Sequence, residues 1–423
     1  MRNNQLTLNL SAPAVKPTQR ADYTFKYNRK LGRHGWLRLT PAYSVKLVQE
    51  IFDTYRHGGN RTVYDPFCGT GTTALVAAQN GWNALTTDIN PFLVWFATAK
   101  NHEYGEQEVV TARMKFNALL EELPTLLITD NWQPEIHNIN RWWEENTLNT
   151  LSALRTCTVQ WCGEARNAKG GDALIWIAFC RLVIETSSAA FNHVSMSFKA
   201  EAPMISTQRI TYLFNTIFEN ILRTVHQQPI TGQSTIILSD SRKHAEIADH
   251  SIDLVITSPP YVNRISYIRE LRPYMYWTKF LEEKSEAGAI DWQAIGGTWG
   301  TATSNLLKWS PSSNDLPQRM MEVCASIRNA DNKHAFTMHQ YVMKYFDDMN
   351  LHVAALTEKL KRGATVHYII GNSNFYGHCV EAEKIYEDLF VNHGFTDVTS
   401  RIIRKRNSHK KLFEYEVTAR FEA

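Results

Sequence analysis

A chain of 423 residues, 43% hydrophobic and 21% charged, is long enough for two domains or for one domain with large insertions, and apolar enough to bury a sizeable core. Its net charge of +3 is too small to point to nucleic acid by itself, and its six cysteines lack the paired spacing of a zinc site, so free thiols in a reducing cytoplasm are expected. No membrane span is expected either, because the most apolar stretch, Ala173 to Ile184, is short and broken by Arg181, and the first ten residues lack an apolar signal core.

Charge is distributed unevenly. Seven Lys/Arg residues fall between Lys16 and Arg38 against the single acid Asp22, and six fall between Arg401 and Lys411 with no acid. Either stretch suits a phosphate backbone or a solvated surface.

In chain order, residues 1–20 read as a polar arm, and a helix is expected from Pro41 through Phe52. Arg61 to Tyr64 enters a strand, Thr72 to Asn80 is a helix ended by Gly81, and Asn83 to Thr87 is a second strand ending at Asp88. Asn90-Pro91 opens a helix running to about Lys100. This alternation predicts an α/β fold with a parallel, doubly wound sheet. Residues 105–230 then read as largely helical, with Trp132, Trp142, Trp143, Trp161 and Trp176 expected mainly in its core. Strands resume at Ser234 to Leu238 and Ile252 to Ile256, and 280–335 reads as loop-rich. Thr365 to Ile370 is a strand, Val380 to His393 a helix, and Thr399 to Ile403 with Tyr415 to Phe421 a closing hairpin. The divisions are therefore 1–104 (arm and first half of the sheet), 105–230 (helical insertion), 231–279 (second half), 280–335 (loop-rich insertion) and 336–423 (C-terminal part).

Two loops carry the chemistry. Asp65-Pro66-Phe67-Cys68-Gly69-Thr70-Gly71 leads from a strand into a helix, where Gly69 and Gly71 let backbone amides approach a polar ligand. Asp88, at the tip of the next strand, is placed to accept from ribose hydroxyls. On the glycines alone a nicotinamide dehydrogenase competes. The second loop, Thr257-Ser258-Pro259-Pro260-Tyr261, ends a buried strand and offers a hydroxyl, rigid carbonyls and an aromatic ring.

Together these loops resemble the S-adenosylmethionine-dependent DNA amino-methyltransferases, whose signature Asp-Pro-Phe-x-Gly-x-Gly-Thr-Thr is matched from Asp65 to Thr73. The resemblance implies a Rossmann-like methyltransferase sheet, with S-adenosylmethionine held by Thr40, Asp65, Phe67, Gly69, Gly71, Asp88 and Asp240. It makes Ser258, Pro259, Pro260 and Tyr261 the catalytic residues, acting on a base flipped out of double-stranded DNA. A serine leading that motif is typical of cytosine-N4 enzymes, an acid or asparagine of adenine-N6 enzymes; a restriction endonuclease acting on the same site is the implied partner. Arg264, Arg269, Lys199 and Arg406 are candidate DNA contacts, residues 105–230 and then 280–335 are the candidate target-recognition regions, and no metal is implied. Cytosine-C5 chemistry lacks its cysteine near Ser258. A tRNA base methyltransferase is harder to set aside, although the sixty residues before Asp65 leave little room for a separate RNA-binding domain. A non-catalytic DNA-binding protein on this fold is the remaining alternative.

Overall fold

The computed structural model describes residues 18–39, 42–55, 61–190, 197–199, 201–263, 266–297, 301–313, 315–406 and 411–422. Seven strands make the central sheet: β1 (Thr62–Asp65), β2 (Asn83–Asp88), β3 (Ser234–Leu238), β4 (Ile252–Thr257), β5 (Leu360–Gly371), β6 (Phe395–Lys405) and β7 (Phe413–Phe421). Their spatial order is β3-β2-β1-β4-β5-β7-β6. The first five are parallel, while β7 runs antiparallel to both β5 and β6. This is a doubly wound, Rossmann-like α/β architecture, as the alternation of strands and helices predicts.

The chain leaves β1 towards one edge through β2 and β3, then returns to place β4 on the other side of β1. Such a reversal opens a crevice at the carboxyl ends of the two central strands, where open α/β sheets bind ligands. Both loops singled out in the sequence leave the sheet there, one after β1 and one after β4. β4 is buried along nearly all its length, which is why it reads as a continuous apolar run rather than an alternating one.

Helix α1 (Val45–Asp53) begins after Ser44, whose hydroxyl accepts from the Lys46 amide. The predicted start at Pro41 lies outside the described residues. α2 (Thr72–Gln79) follows the glycine loop, and α3 (Pro91–Lys100) is capped by the Asn90 side chain. The first insertion is helical as expected: α4 (Glu106–Leu126), α5 (Glu145–Cys162), α6 (Gly170–Glu185) and α7 (Thr207–Gln227). Its buried side chains join those of α3 and of α8 (Tyr267–Trp277), the helix after the catalytic loop, in one continuous core. Trp142, Trp143 and Trp176 are buried in it. Trp132 and Trp161 are partly exposed, and Trp132 takes the Arg155 guanidinium 4.1 Å from its ring centroid and the Lys279 ammonium at 5.1 Å.

Residues 280–335 depart from expectation. Instead of a loop-rich stretch they hold α9 (Lys284–Gln293), a short helix Thr301–Leu306, and α10 (Gln318–Arg328). Local capping explains α9, where the Glu286 carboxylate reaches back to the Glu283 amide. Tertiary burial explains α10, where Met320, Cys324 and Ile327 recur on one face. A further helix the sequence reading does not mark, α11 (Ala335–Thr357), meets the loops after β3 and β4 through His352 and Tyr345, and α12 (Ala382–Asn392) matches its expectation. Among the described residues no helix is long and apolar enough to cross a membrane.

Candidate active site

The first loop is built around two carboxylates, the fully buried Asp65 and the half-buried Asp88. Asp65, the last residue of β1, accepts from the Thr257 hydroxyl at 2.6 Å and the Phe67 amide at 3.1 Å. Thr257 is the last residue of β4, so this bond ties the roots of the two loops together. Asp88 accepts from the Gly69 amide at 2.7 Å and the Asn90 amide at 2.9 Å. Burial raises both acids to about 6, against the stabilising hydrogen bonds they receive. Gly69 and Gly71 have φ of +51° and +69°, conformations glycine adopts without strain. At Gly71 space matters as well, since a Cβ there would lie 2.9 Å from Asn101 Nδ2 and 3.0 Å from the Ala97 Cβ.

The second loop is fixed from below. The Ser258 hydroxyl donates to the Ile369 carbonyl on β5 at 3.0 Å. The Pro260 carbonyl accepts from the Tyr345 hydroxyl at 2.7 Å. Tyr261 is held at three points: its amide donates to the Tyr267 hydroxyl at 3.1 Å, its hydroxyl donates to Glu414 at 2.7 Å, and the Arg406 guanidinium lies 5.1 Å from its ring centroid. Arg404 completes the arrangement by pairing with the same Glu414 carboxylate at 2.6 Å. Gly371 permits it, because a Cβ at that position would lie 2.3 Å from Arg406 Nη1 and 2.9 Å from the Tyr261 ring.

A cleft of about 1050 Å³ joins the two loops. Phe67, Gly69, Asp88 and Asp240 line it together with Ser258 and Pro260. Its apolar walls come from Leu39, Leu93, Ile268 and Leu271, and its outer wall from the second insertion, Asp291 to Gly297. Asp240 lines the cleft and also caps its own turn: the Arg242 amide and guanidinium both donate to its carboxylate, the latter at 2.7 Å.

The structure thus brings Asp65, Phe67, Gly69, Gly71, Asp88, Asp240 and the Ser258–Tyr261 loop to one end of the sheet. Thr40 and Arg264 lie outside the described residues. Arg406 stands beside Tyr261, Arg269 is exposed on the first turn of α8, and Lys199 is exposed on a small hairpin of the helical insertion, away from the cleft lining. Sequence reading missed Tyr267, Glu414, Tyr345, Arg242 and the 291–297 wall, all of which reach the site through folding. Thr257 was legible as the residue ahead of the motif, but its bond to Asp65 was not.

The D12 class N6 adenine-specific DNA methyltransferase family model matches residues 45–148. Among whole proteins, the Type II methyltransferase M.BsoBI of Geobacillus stearothermophilus is 28% identical over 272 residues, 58% of this chain and 52% of that one. The Type II methyltransferase M.MvaI of Kocuria varians is 21% identical over 352 residues, 78% of this chain and 74% of that one. The chain thus spans about half the length of M.BsoBI. A solved rRNA methyltransferase, aviRa of Streptomyces viridochromogenes, aligns over 90% of this chain and 86% of its own at 11% identity; its TM-score of 0.29 is too low to bear on fold or function.

Proposed function

We propose that the chain is an S-adenosylmethionine-dependent DNA methyltransferase acting on an exocyclic base amine, cytosine N4 by the first reading, as the modification enzyme of a restriction system. The observation that carries this is the single cleft lined by both loops. Its lining fits S-adenosylmethionine: the backbone of the glycine turn at Gly69 with the Asp88 carboxylate at the next strand tip, and the Asp65 carboxylate buried behind the lining at the root of the turn. Asp88 would take the ribose hydroxyls, Asp65 would face the ammonium end, and Phe67 would pack on the ligand. S-adenosylmethionine bound there supplies an electrophilic methyl group on a positively charged sulfur.

The chain's own part is to hold the acceptor nitrogen in line. An exocyclic amine is a poor nucleophile because its lone pair is delocalised into the ring, and acceptors on its hydrogens turn it towards tetrahedral geometry. Ser258 is preset for that role. A hydroxyl has one proton to donate, and this one is committed to Ile369, so its lone pairs are what it offers the cleft. The resemblance makes the Pro259 carbonyl the second acceptor, in a loop whose Pro260 carbonyl is held by Tyr345. The Tyr261 ring, pinned by Glu414 and flanked by Arg406, stacks on a base flipped out of the duplex.

Ser258 supports cytosine N4. Adenine N6 is the second reading, favoured by the family model; its matched segment contains the cofactor loop and ends well before Ser258. The relatives described as Type II methyltransferases support a role beside a restriction endonuclease on the same double-stranded DNA site. Nucleoside mass spectrometry of mixed-sequence DNA, incubated with the protein and S-adenosylmethionine beside a parallel tRNA sample, tests this. N4-methylcytosine in the DNA is the expected product. N6-methyladenine would select the second reading, and methylation of tRNA alone would overturn both.

A further inference from the structure

One face of α11 touches four of the segments that border the cleft: the outer wall, the Ser258–Tyr261 loop, the Asp240 turn and, through the His352 ring centred 5.0 Å from that of Phe67, the cofactor loop. The contacting residues, Tyr341, Tyr345, Asp348 and His352, recur at intervals of three and four, which places them on one side of the helix over about 16 Å of its length. Tyr341 donates to the Gly296 carbonyl in the outer wall at 3.4 Å. Tyr345 donates to the Pro260 carbonyl of the catalytic loop. Its hydroxyl has only one proton, so the 2.8 Å bond with Tyr386 must run from Tyr386 to Tyr345, giving a chain of two aligned hydroxyls that ends on the catalytic loop. Asp348 accepts from Arg242 at 2.9 Å, and Arg242 in turn grips Asp240.

His352 reaches furthest. Its Nδ1 lies 2.8 Å from the Ser241 carbonyl, an acceptor, so Nδ1 carries the proton and Nε2 accepts from the Tyr368 hydroxyl at 2.6 Å. The same Nδ1 proton is shared with His244 Nε2 at 3.1 Å, so His244 accepts there and donates from Nδ1 to the Tyr64 hydroxyl. Tyr64 passes its proton towards Thr87 at 3.0 Å, and Thr87 donates to the Pro66 carbonyl of the cofactor loop at 3.1 Å. Burial keeps both histidines neutral near pH 7, and neutral rings are what this sequence of donors and acceptors requires.

We infer that this face of α11 is the ruler that fixes the catalytic loop against the cofactor-binding loops, with Tyr345 the positioning residue for the Ser258–Tyr261 loop, through its Pro260 carbonyl, and Asp348 that for Asp240. The inference rests on the methyltransferase reading. None of the four residues touches substrate, and each acts through the loop it holds.

The two ends of the ruler should fail differently. In the full-length protein Tyr345→Phe removes one hydroxyl, and is expected to lower kcat about tenfold with the KM for S-adenosylmethionine within about twofold. Tyr386→Phe, which removes only the donor to Tyr345, should show a weaker version of the same split. Asp348→Asn should raise the KM for S-adenosylmethionine about tenfold with kcat within about twofold. A Tyr345→Phe protein with wild-type kcat would overturn the inference, as would equal changes in kcat and KM in both variants. If the wild type methylates neither DNA nor RNA, the reaction proposed above fails and the ruler is judged by calorimetric binding of S-adenosylmethionine. Weakening by Asp348→Asn but not by Tyr345→Phe then supports it, and any other pattern overturns it.

Discussion

Asp65 and Asp88 set how the site responds to pH. Both have carboxyl groups raised to about 6, by burial first, so in the folded protein the neutral form is favoured more than in the unfolded chain. Their contribution to stability is present below the unfolded value near pH ~4 and is lost as pH rises through about 6. A ligand carrying an ammonium and a sulfonium prefers the ionised acids, so its affinity changes in the opposite direction. S-adenosylmethionine should therefore raise the melting temperature more at about pH 7.5 than at about pH 5, measured by scanning calorimetry. The same reasoning separates residue roles. Asp88→Ala should weaken S-adenosylmethionine about 10- to 100-fold by titration calorimetry, the loss expected when hydrogen bonds to a charged group are removed. Ser258→Ala and Tyr261→Ala should instead lower turnover about a hundredfold with affinity nearly kept. Unchanged turnover in Tyr261→Ala would sink the assigned base pocket.

At the scale of elements, the loops depend on backbone positions that admit no side chain, and two glycines distinguish stability from function. Gly71 combines a left-handed φ with close neighbours on α3, so Gly71→Ala should cost about 1–3 kcal/mol in urea unfolding. Gly371 sits in β5 against Arg406 and Tyr261. There the added methyl meets the mobile end of one side chain and the ring of the other. Gly371→Ala should thus lower turnover by displacing Tyr261 while leaving the unfolding midpoint nearly unchanged. Equal losses at both sites would show that the catalytic loop is held less specifically than its contacts imply.

Across the whole molecule, the helical insertion shares its core with the catalytic half through Trp277. That side chain, on the helix after the catalytic loop, is fully buried and meets the Trp143 ring at 5.6 Å and the Phe179 ring at 5.8 Å. Arg155 of the insertion also donates to its carbonyl at 2.9 Å. Trp277→Ala should cost about 3–5 kcal/mol, and Trp277→Phe much less because the indole nitrogen has no hydrogen-bond partner among the described residues. The shared core also predicts a single calorimetric transition for the wild type; two resolved transitions would mean the insertion folds alone.

The sequence by itself determined the elements whose instructions are local. The β1 and β4 runs, the glycine turn, the Asn90 cap and the Ser258–Tyr261 motif each follow from side chains a few residues apart, and those places are where expectation and structure agree. The closing hairpin was legible for the same reason, its two strands lying close together in the chain. Only the tertiary structure decided which distant groups complete the site. Nothing near Tyr261 in the chain announces Glu414, and nothing in the composition of 280–335 reveals that 291–297 wall the cleft or that α10 is a helix with one buried face. α11 carries buried Tyr, Asp, Lys and His among its apolar residues. That mixture blurs the amphipathic pattern a sequence reading depends on, because those polar groups find partners only when strands and loops from four parts of the chain converge on one helix face.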